Sequence, residues 1–315
     1  MVEIKNLVKK YGSKYALDDI SFTINSGEIV GFLGPNGAGK TTTMNIVTGY
    51  LASTSGTVVI DGKDILDDPI EAKKLIGYLP EQPPLYVDMT VWEYLGFVFD
   101  LKSCDLNKEK HLEEICMITK IFGVKNRLIR NLSKGYKQRV GIAQALIGNP
   151  PIIIFDEPTV GLDPKQIIEV RNLIRNLGKT HTVILSTHIL SEVQSVCNRI
   201  VVINSGKIVA DEKTENLTKA ISENSRYRVK ISGPQREVAS ALRNVPGVVM
   251  VESLNERDAD AFVYIVEGAP NIDIRKKLFR VLASKDWPIL GLEAVGADLE
   301  DIFIKLTDKT GKRGE

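Results

Sequence analysis

The sequence predicts an α/β protein with a mainly parallel sheet, followed by a small α+β module. Apolar runs that read as buried strands alternate with stretches of helical spacing, and this alternation is typical of a parallel sheet. A glycine-rich loop, GPNGAGKTTT, leads directly from one such strand into a helix. After residue 226 the order of elements becomes strand, helix, two strands, helix, strand and helix, which suggests a ferredoxin-like module.

The N-terminal part of the chain predicts strands that lead into the glycine-rich loop. VEIKNLVKKY and ALDDISFTI are strand-like, and a turn at residues 25–27 precedes the apolar run EIVGFLG. After the loop, TTMNIVTGYL reads as a helix closed by Gly49, and GTVVIDG reads as a short strand. The predicted order is therefore strand, loop, helix, strand.

A helical region then interrupts the alternation. Residues from about 87 to 147 show helical spacing, so we predict a helical subdomain there. Beyond it, PIIIFDE and TVILSTH predict buried strands on either side of a helix, and RIVVINSGKIVAD predicts a hairpin. Because parallel strands end at the same edge of a sheet, we expect functional residues at that edge.

A polar segment near TKAISENSRY separates two predicted domains, residues 1–225 and residues 226–315. In the second domain we predict strands at 227–232, 248–254 and 261–267, and helices at 235–244 and 272–285, before one more strand and a final helix.

Composition and charge exclude several classes of protein. The 315 residues are 43% hydrophobic, and 41 basic against 40 acidic residues give a net charge of +1, so no global field attracts nucleic acid or anionic lipid. Cys104, Cys116 and Cys197 show no CxxC spacing, which argues against a disulfide framework or a zinc site and fits a reducing cytosol. No stretch approaches the roughly 20 apolar residues that span a bilayer, so we expect any membrane role to require another chain.

The glycine-rich loop matches the pattern GxxxxGK[ST] in full, between a predicted strand and a predicted helix. Its glycines let successive backbone N–H groups converge on a β-phosphate, Lys40 reaches the β- and γ-phosphates, and the Thr41 hydroxyl can bind Mg²⁺. The residues expected at the phosphates are Gly34, Pro35, Asn36, Gly37, Ala38, Gly39, Lys40, Thr41 and Thr42.

Two carboxylates and a histidine are predicted at the same sheet edge. Asp156 and Glu157 follow the strand PIIIF; Asp156 would hold Mg²⁺ through water, and Glu157 could orient or deprotonate the attacking water. His188 ends the strand TVILSTH, where its imidazole could donate a hydrogen bond to the γ-phosphate. Gln82 lies between prolines at the start of the helical region and is either a Mg²⁺ ligand or an ordinary surface glutamine.

The stretch LSKGYKQR has two interpretations. Ser133 precedes an amphipathic helix and can cap it, but a hydroxyl, a glycine and cations at a helix N-terminus could also hold a phosphate. The residues alone leave both interpretations open.

Taken in order, GPNGAGKT, Gln82, LSKGYKQR, IIIFDEPT, GLDP and His188 resemble the ATP-binding subunits of ABC transporters over residues 1 to about 220. The resemblance implies the P-loop NTPase fold of an ABC ATPase domain, with N-terminal antiparallel strands and a helical subdomain. It implies that Gly34 to Thr41 form the Walker A loop, that Asp156 is the Walker B magnesium residue and that Glu157 is the catalytic carboxylate.

The same resemblance implies roles for three more residues. Gln82 would be the Q-loop residue facing a membrane subunit, Asp163 the D-loop aspartate at the dimer contact, and His188 the switch histidine. Tyr11 matches the aromatic residue that stacks on adenine in this family; the alternative is a tyrosine packed at a strand end.

In this family two subunits pack head to tail, and each signature loop caps the ATP of the other subunit. The resemblance therefore implies that Ser133 and Gly135 contact ATP in trans. LSKGY departs from the usual LSGGQ because Lys134 replaces a glycine and Tyr136 replaces the glutamine. Tyr136 cannot supply the amide contact, so we place it at the rim of the site and leave its role open.

The resemblance favours an ATP-hydrolysing subunit of an ABC exporter: a homodimer around two ATP and Mg²⁺, driving separate membrane-spanning permease subunits from the cytoplasmic face of the membrane, without nucleic acid. The C-terminal module, ending LEDIFIKLT, resembles the extension of exporter ATPases of the multidrug, sodium-extrusion and gliding-motility type. A soluble ABC ATPase acting on a ribosome or DNA is the alternative, disfavoured by the single cassette and the lack of a long coiled-coil insertion or zinc-binding cysteines. Intact Glu157 and His188 disfavour a non-hydrolysing sensor.

Overall fold

The computed structural model describes residues 1–216, 226–258, 260–269 and 272–294. The chain divides into two compact units, Met1–Thr214 and Glu215–Glu315. The predicted domain boundary, between residues 225 and 226, borders a segment outside the described residues. The predicted final helix, which contains LEDIFIKLT, lies outside them as well.

The strands of the first unit are Val2–Tyr11 (β1), Lys14–Ile24 (β2), Ile29–Leu33 (β3), Ser55–Ile60 (β4), Lys63–Asp64 (β5), Ile76–Leu79 (β6), Ile152–Asp156 (β7), Thr182–Thr187 (β8), Arg199–Asn204 (β9) and Lys207–Lys213 (β10). Its α-helices include Lys40–Val47 (α1), Pro69–Lys74 (α2), Val91–Leu101 (α3), Lys108–Ile118 (α4), Lys134–Leu146 (α5), Pro164–Leu177 (α6) and Leu190–Val196 (α7). Two short 3-10 helices are Phe122–Val124 and Ile129–Asn131.

A six-stranded sheet in the order β10, β9, β3, β8, β7, β6 forms the centre of the first unit. All neighbouring pairs are parallel except the hairpin of β9 and β10. Strands β3, β7 and β8 are buried along their whole length, as expected for apolar runs covered on both faces. The register sets Leu33 beside Thr187 and Asp156 beside Ser186, so the loops after these three strands meet at one edge.

A second, antiparallel sheet in the order β2, β1, β4, β5 shares an apolar core with the central sheet. Leu7 and Leu17 are fully buried in this core together with Ile203 of β9. The rings of Phe22 and Phe32 stack with their centroids 5.4 Å apart. These contacts fix β3, and with it the start of the glycine-rich loop.

Helices α3, α4 and α5 lie between β6 and β7. A capping box begins α3: the Glu93 N–H donates to Thr90 Oγ1 at 3.2 Å, and the Thr90 N–H donates to the Glu93 carboxylate at 2.8 Å. Helix α5 packs closely on β6, as Gly77 shows. A Cβ on this glycine would lie only 2.1 Å from the Ala145 carbonyl oxygen. The C-terminal end of α5 is thereby anchored to the central sheet.

The second unit contains the strands Arg226–Ser232 (β11), Val248–Asp258 (β12), Ala261–Gly268 (β13) and Ile289–Ala294 (β14), and the helices Gln235–Arg243 (α8) and Arg275–Ala283 (α9). Its antiparallel sheet has the order β12, β13, β11, β14, which with the two helices is a ferredoxin-like arrangement. Val229, Leu242, Tyr264 and Leu278 are fully buried in its core, so the helices cover one face of the sheet.

The structure agrees with the predicted α/β class but differs in detail. The sequence pattern misses α2 and α7, because each has no more than two turns and neither has a side-chain cap. The helix predicted over 272–285 begins only at Arg275, where the Asp273 carboxylate accepts the Arg275 N–H at 3.0 Å and holds a turn. Among the described residues, no helix is both long enough and apolar enough to cross a bilayer.

Candidate nucleotide site

The glycine-rich loop begins after β3 and ends at the first residue of α1. Gly37 and Gly39 have φ angles of 79° and 114°, in the left-handed region that favours glycine. A Cβ on Gly39 would also lie 2.8 Å from the Ala16 carbonyl oxygen. Gly39 is the N-cap of α1 and no side chain caps this helix, so its first N–H groups are available to an anion.

Lys40 is buried at the start of α1, and its ammonium lies between the loop and the end of β7. Nζ donates hydrogen bonds to the Gly34 carbonyl oxygen at 2.8 Å and to the Pro35 carbonyl oxygen at 3.3 Å. Nζ also lies 3.4 Å from Glu157 Oε1. A cation in this position can exchange these contacts for phosphate oxygens.

Glu157 and His188 form a hydrogen-bonded pair at the same edge. His188 Nδ1 lies 3.0 Å from each carboxylate oxygen of Glu157. Because a carboxylate only accepts hydrogen bonds, we assign the proton to Nδ1. Glu157 is buried whereas 41% of the His188 side chain is exposed, so the imidazole covers the carboxylate on the solvent side.

The backbone of Glu157 adopts an uncommon conformation. Its φ angle is 49°, in the left-handed region, which costs a non-glycine residue about 1 to 2 kcal/mol. The Glu157 N–H still donates to the Ser186 carbonyl oxygen at 2.9 Å, so strand pairing with β8 holds the residue in place. In this conformation the Glu157 side chain points toward Lys40 and His188.

These groups line a cavity of about 440 Å³, the phosphate cavity. Its lining residues are Ala16, Asn36, Gly37, Gly39, Lys40, Thr41, Thr42, Glu81, Glu157, Val160 and His188. Backbone donors and a cation therefore face a carboxylate across a space that water can enter. This combination suits a bound phosphate chain and a water that attacks it.

The buried carboxylate of Asp156 is suited to bind a divalent cation. It is fully buried, and neither carboxylate oxygen has a hydrogen-bond partner of good geometry. Burial raises the pKa of its carboxyl, although the nearby hydroxyls of Ser186 and Thr41 lower it. Mg²⁺ takes oxygen ligands and commonly uses only one or two carboxylates beside substrate phosphates, so Asp156 and Thr41 fit it. Among the described residues, no group of three or more His, Cys, Asp or Glu side chains is arranged to hold a metal ion by itself.

Gln82 lies with Thr41 and Asp156 on a second cavity of about 840 Å³, the Gln82 cavity. This larger space is bordered by β6, by α1 and by the loop of prolines that follows β6, and it includes Tyr50 and Pro84. The structure thus brings the three predicted Mg²⁺ ligands to one cavity.

The signature loop lies at the N-terminus of α5. Ser133 is the N-cap, and its Oγ accepts the Tyr136 N–H at 3.4 Å. The side chain of Tyr136 is 40% exposed. Ser133 therefore caps its own helix, as one of the two interpretations of LSKGYKQR predicts.

The same loop packs against the segment that follows Glu157. A Cβ on Gly135 would lie 2.6 Å from Gln166 Cδ of α6, so the glycine allows a close approach of α5 to α6. Lys134 lies across Gly161, where an added Cβ would fall 1.9 Å from the lysine Nζ. Lys134 is thus a direct neighbour of Gly161 in space, and Gly135 is a direct neighbour of Gln166.

Asp163 and Tyr11 occupy exposed positions. Asp163 is the N-cap of α6, and its carboxylate accepts the Gln166 N–H at 2.9 Å. Tyr11 ends β1 with 54% of its surface exposed, and the Lys9 ammonium lies 5.3 Å from the centre of its ring. Neither residue lines the phosphate cavity. Gln82, Ser133 and Gly135 do not line it either.

Comparisons with known proteins agree with this geometry. The sequence profile of the family described as ABC transporter matches residues 17–160. A Bacillus subtilis protein, the uncharacterized ABC transporter ATP-binding protein YhcH, is 32% identical over an alignment that covers 98% of this chain and 97% of YhcH. The chain belongs to the family of ABC transporter ATP-binding proteins.

Other ABC proteins match as well. The bacitracin transport ATP-binding protein BcrA of Bacillus licheniformis is 31% identical, with 97% of each chain covered. The dimeric structure of a post-hydrolysis state of the ATP-binding cassette MJ0796, bound to ADP and Pi, matches with a TM-score of 0.62 and 32% identity, over 68% of this chain and 99% of that one. The predicted ABC ATPase fold is confirmed, and the chain is an ABC ATPase that binds and hydrolyses ATP.

Some residues at the site of this ABC ATPase cannot be identified from the sequence. Glu81 lines both the phosphate cavity and the Gln82 cavity, and Val160 lines the first. The position of Glu81 beside Gln82 is the only signal in the sequence. Gln166 gives no signal, because its contact with Gly135 joins two helices far apart in the chain.

Proposed function

We propose that this ABC ATPase is the nucleotide-binding subunit of an exporter, in which two copies associate head to tail around two ATP molecules and drive separate membrane-spanning permease subunits. One observation carries the proposal: Lys40, Glu157 and His188 converge on the phosphate cavity, whereas Ser133 and Gly135 lie outside it. A site with a signature loop therefore needs a second copy. The dimeric MJ0796 cassette and the transport role in the name of BcrA support this assembly.

The glycine-rich loop and α1 bind the phosphates of ATP. Residues Gly34 to Thr42 surround the β-phosphate with backbone N–H groups, and the helix N-terminus adds a favourable dipole. Lys40 exchanges its hydrogen bonds to the loop carbonyls for bonds to the β- and γ-phosphates. Tyr11, exposed at the end of β1, stacks on the adenine.

Glu157 acts as the general base. Its carboxylate accepts a proton from water while the water oxygen attacks the γ-phosphorus, and the bond from that phosphorus to the β–γ bridging oxygen breaks to release ADP and phosphate. His188 holds the carboxylate through its Nδ1–H and presents the rest of the ring to the γ-phosphate. The left-handed backbone of Glu157 supports this role, since strained residues cluster at functional sites.

Asp156, Thr41 and Gln82 would hold Mg²⁺. The ion, when bound, neutralises charge that develops on the phosphate oxygens. The strongest support is the buried carboxylate of Asp156, whose two oxygens lack hydrogen-bond partners. A cation at this position would compensate a charge that burial makes costly.

Ser133 and Gly135 serve the ATP bound by the second copy. The Ser133 oxygen accepts a backbone N–H of its own helix, and its hydroxyl proton remains for donation to a γ-phosphate oxygen. Helix α5 directs its positive N-terminal end to the same anion. Asp163, exposed at the start of α6, belongs to the contact between the two copies.

The Gln82 cavity is the proposed docking site for the permease. It opens beside Tyr50, which is 83% exposed, and its lining includes Pro84. Tyr86 nearby in sequence packs edge-on against Phe97 with 5.5 Å between ring centres, and both rings are partly exposed. Exposed aromatic groups around a cavity mark interaction sites. Movement of Gln82 then links nucleotide binding to the permease, which holds this subunit at the inner face of the membrane.

The test is Glu157→Gln. This change keeps the shape of the side chain but removes the base, so the barrier to hydrolysis rises by about 3 kcal/mol or more while ATP still binds. We expect phosphate release to become very slow and an ATP-loaded dimer to accumulate. Phosphate release and size-exclusion chromatography with and without ATP measure both effects.

Glu109→Gln in the exposed first turn of α4 is the matched control and keeps wild-type behaviour. If Glu157→Gln releases phosphate near the wild-type rate, the role of Glu157 as the general base is refuted. A Glu157→Gln protein that binds ATP but stays monomeric refutes the paired assembly. Purification of the wild-type chain with its associated membrane proteins tests whether a permease is bound. If no membrane-spanning protein is recovered, the proposed permease partner is contradicted.

A further inference from the structure

Glu192 is a buried carboxylate that none of the proposed steps uses. It lies in the first turn of α7, and only 1% of its side chain is exposed. Burial of a carboxylate is costly unless hydrogen bonds and an opposite charge compensate it. The contacts of Glu192 therefore indicate its role.

Three side chains compensate this carboxylate. Thr159 Oγ1 donates to Oε1 at 2.6 Å, and Thr187 Oγ1 donates to Oε2 at 3.0 Å. Arg171 Nη2 of α6 lies 3.5 Å from Oε1 and supplies the opposite charge. Each carboxylate oxygen thus has its own hydroxyl donor.

The two threonines lie close to the hydrolytic pair in the chain, Thr159 in the loop after β7 and Thr187 at the end of β8. Thr159 follows Glu157 by two residues, and Thr187 directly precedes His188. The carboxylate of Glu192 thus connects the loop after β7 to the end of β8. The bridge therefore lies directly behind the contact between Glu157 and His188.

Thr187 also fixes the turn after β8. Its Oγ1 accepts the Ile189 N–H at 3.1 Å while it donates to Glu192. The hydroxyl thereby spans His188, the residue between Thr187 and Ile189. Loss of the Glu192 acceptor frees this hydroxyl to rotate, and the turn that carries the imidazole loses one of its two anchors.

We infer that Glu192 is a positioning residue for ATP hydrolysis, which sets the placement of Glu157 relative to His188 by joining Thr159 to Thr187. The inference rests on the proposed roles of Glu157 and His188. A carboxylate suits the task because it offers an acceptor to each hydroxyl at once, whereas an amide offers one acceptor and one donor group. Glu192 itself contacts neither ATP nor water in the reaction.

Glu192→Gln and Glu192→Ala test the bridge. Because small misplacements of catalytic groups are costly, we expect kcat to fall by about 10- to 100-fold in Glu192→Ala, with KM for ATP little changed. Glu192→Gln keeps one acceptor and its kcat lies between those of Glu192→Ala and the wild type. A role in packing alone leaves kcat of Glu192→Gln at the wild-type value, because the amide fills the same volume as the carboxylate.

The threonines provide milder variants that leave the carboxylate in place. Thr187→Val and Thr159→Val each replace the hydroxyl by a methyl group, and Thr187→Ser and Thr159→Ser retain the hydroxyl. We expect a lower kcat in each valine variant and recovery in the matching serine variant. If the Glu192 variants fail to fold, this comparison decides the question.

Wild-type kcat in both valine variants overturns the inference, and so does equal loss in the serine and valine variants. Glu157→Gln, measured beside them, separates this failure from that of the proposed function. If Glu157→Gln stops hydrolysis while the Glu192 and threonine variants keep wild-type kcat, only the positioning role is wrong. If Glu157→Gln remains active, the hydrolytic assignment on which the inference rests is wrong.

Discussion

Lys40 Nζ lies 3.4 Å from Glu157 Oε1, and the two side chains are only 6% and 7% exposed. Opposite charges buried this closely compensate each other, and either one alone is costly. In the proposed mechanism ATP binding redirects the lysine toward the phosphates, and Glu157 is left to contact water and His188. We therefore expect the nucleotide-free protein to depend for stability on an ion pair that the proposed reaction separates.

Lys40→Met is predicted to lower the free energy of unfolding of the nucleotide-free protein by about 1 to 3 kcal/mol, because Glu157 loses its buried cation. The double variant Lys40→Met/Glu157→Gln regains part of that loss, since the remaining charge is gone too. Urea denaturation of the two single variants and the double variant measures the coupling. Strictly additive losses would contradict the ion pair as a source of stability.

A mixture of Ser133→Ala and Lys40→Met proteins is predicted to hydrolyse ATP faster than either protein alone. A mixed dimer contains one site with an intact Walker A loop from one chain and an intact signature serine from the other. Phosphate release from the mixture measures the recovery. Ser133→Ala mixed with the double variant Ser133→Ala/Lys40→Met is the control, because no pairing of those chains restores a site. Equal rates in the two mixtures would rule out the head-to-tail arrangement.

Gly77→Ala is predicted to destabilise the first unit by about 1 to 3 kcal/mol or more, because the new methyl group meets backbone that cannot rotate away. Its Cβ would lie 2.1 Å from the Ala145 carbonyl oxygen of α5. Gly123→Ala is the matched control, since no atom lies within 4 Å of its Cβ position. Thermal unfolding of both variants tests the contact. A melting temperature of Gly77→Ala equal to that of Gly123→Ala would show that α5 does not pack on β6 as described.

Stability is predicted to decline as the pH falls below about 6.5, in part through His111. Burial lowers the pKa of this imidazole below its ordinary value of 6.5, and His111 Nε2 accepts the Gly148 N–H at 3.0 Å. The His111 imidazole therefore binds a proton more readily in the unfolded chain than in the folded protein. Its contribution to the free energy of unfolding is present above pH 6.5 and is lost as the pH falls through the lower pKa of the folded protein.

His111→Gln keeps an acceptor but does not titrate. Urea denaturation at pH 7.5 and at pH 5.5 compares it with the wild type. We expect a steeper decline in the free energy of unfolding for the wild type. Parallel declines in the two proteins would assign the pH dependence to other groups.

Local features of this site are predictable from the sequence, and contacts between distant segments are not. The glycine-rich loop, Asp156, Glu157 and His188 follow apolar strands, so their common edge can be inferred from the pattern. Glu192 gives no such signal, because a glutamate in a short polar helix normally faces solvent, and only the fold reveals its two threonine partners. The close approach of Gly135 to Gln166 is hidden for the same reason.

The left-handed backbone of Glu157, with φ at 49°, has a consequence for attempts to evolve or engineer this protein. At such a position glycine relieves strain, but loss of Glu157 alone would leave the buried Lys40 ammonium without its counter-charge. A screen that scored only heat resistance would therefore favour the joint loss of Glu157 and Lys40, and stable but inactive variants would be enriched. Any thermostable version of the chain should be selected for turnover at the same time.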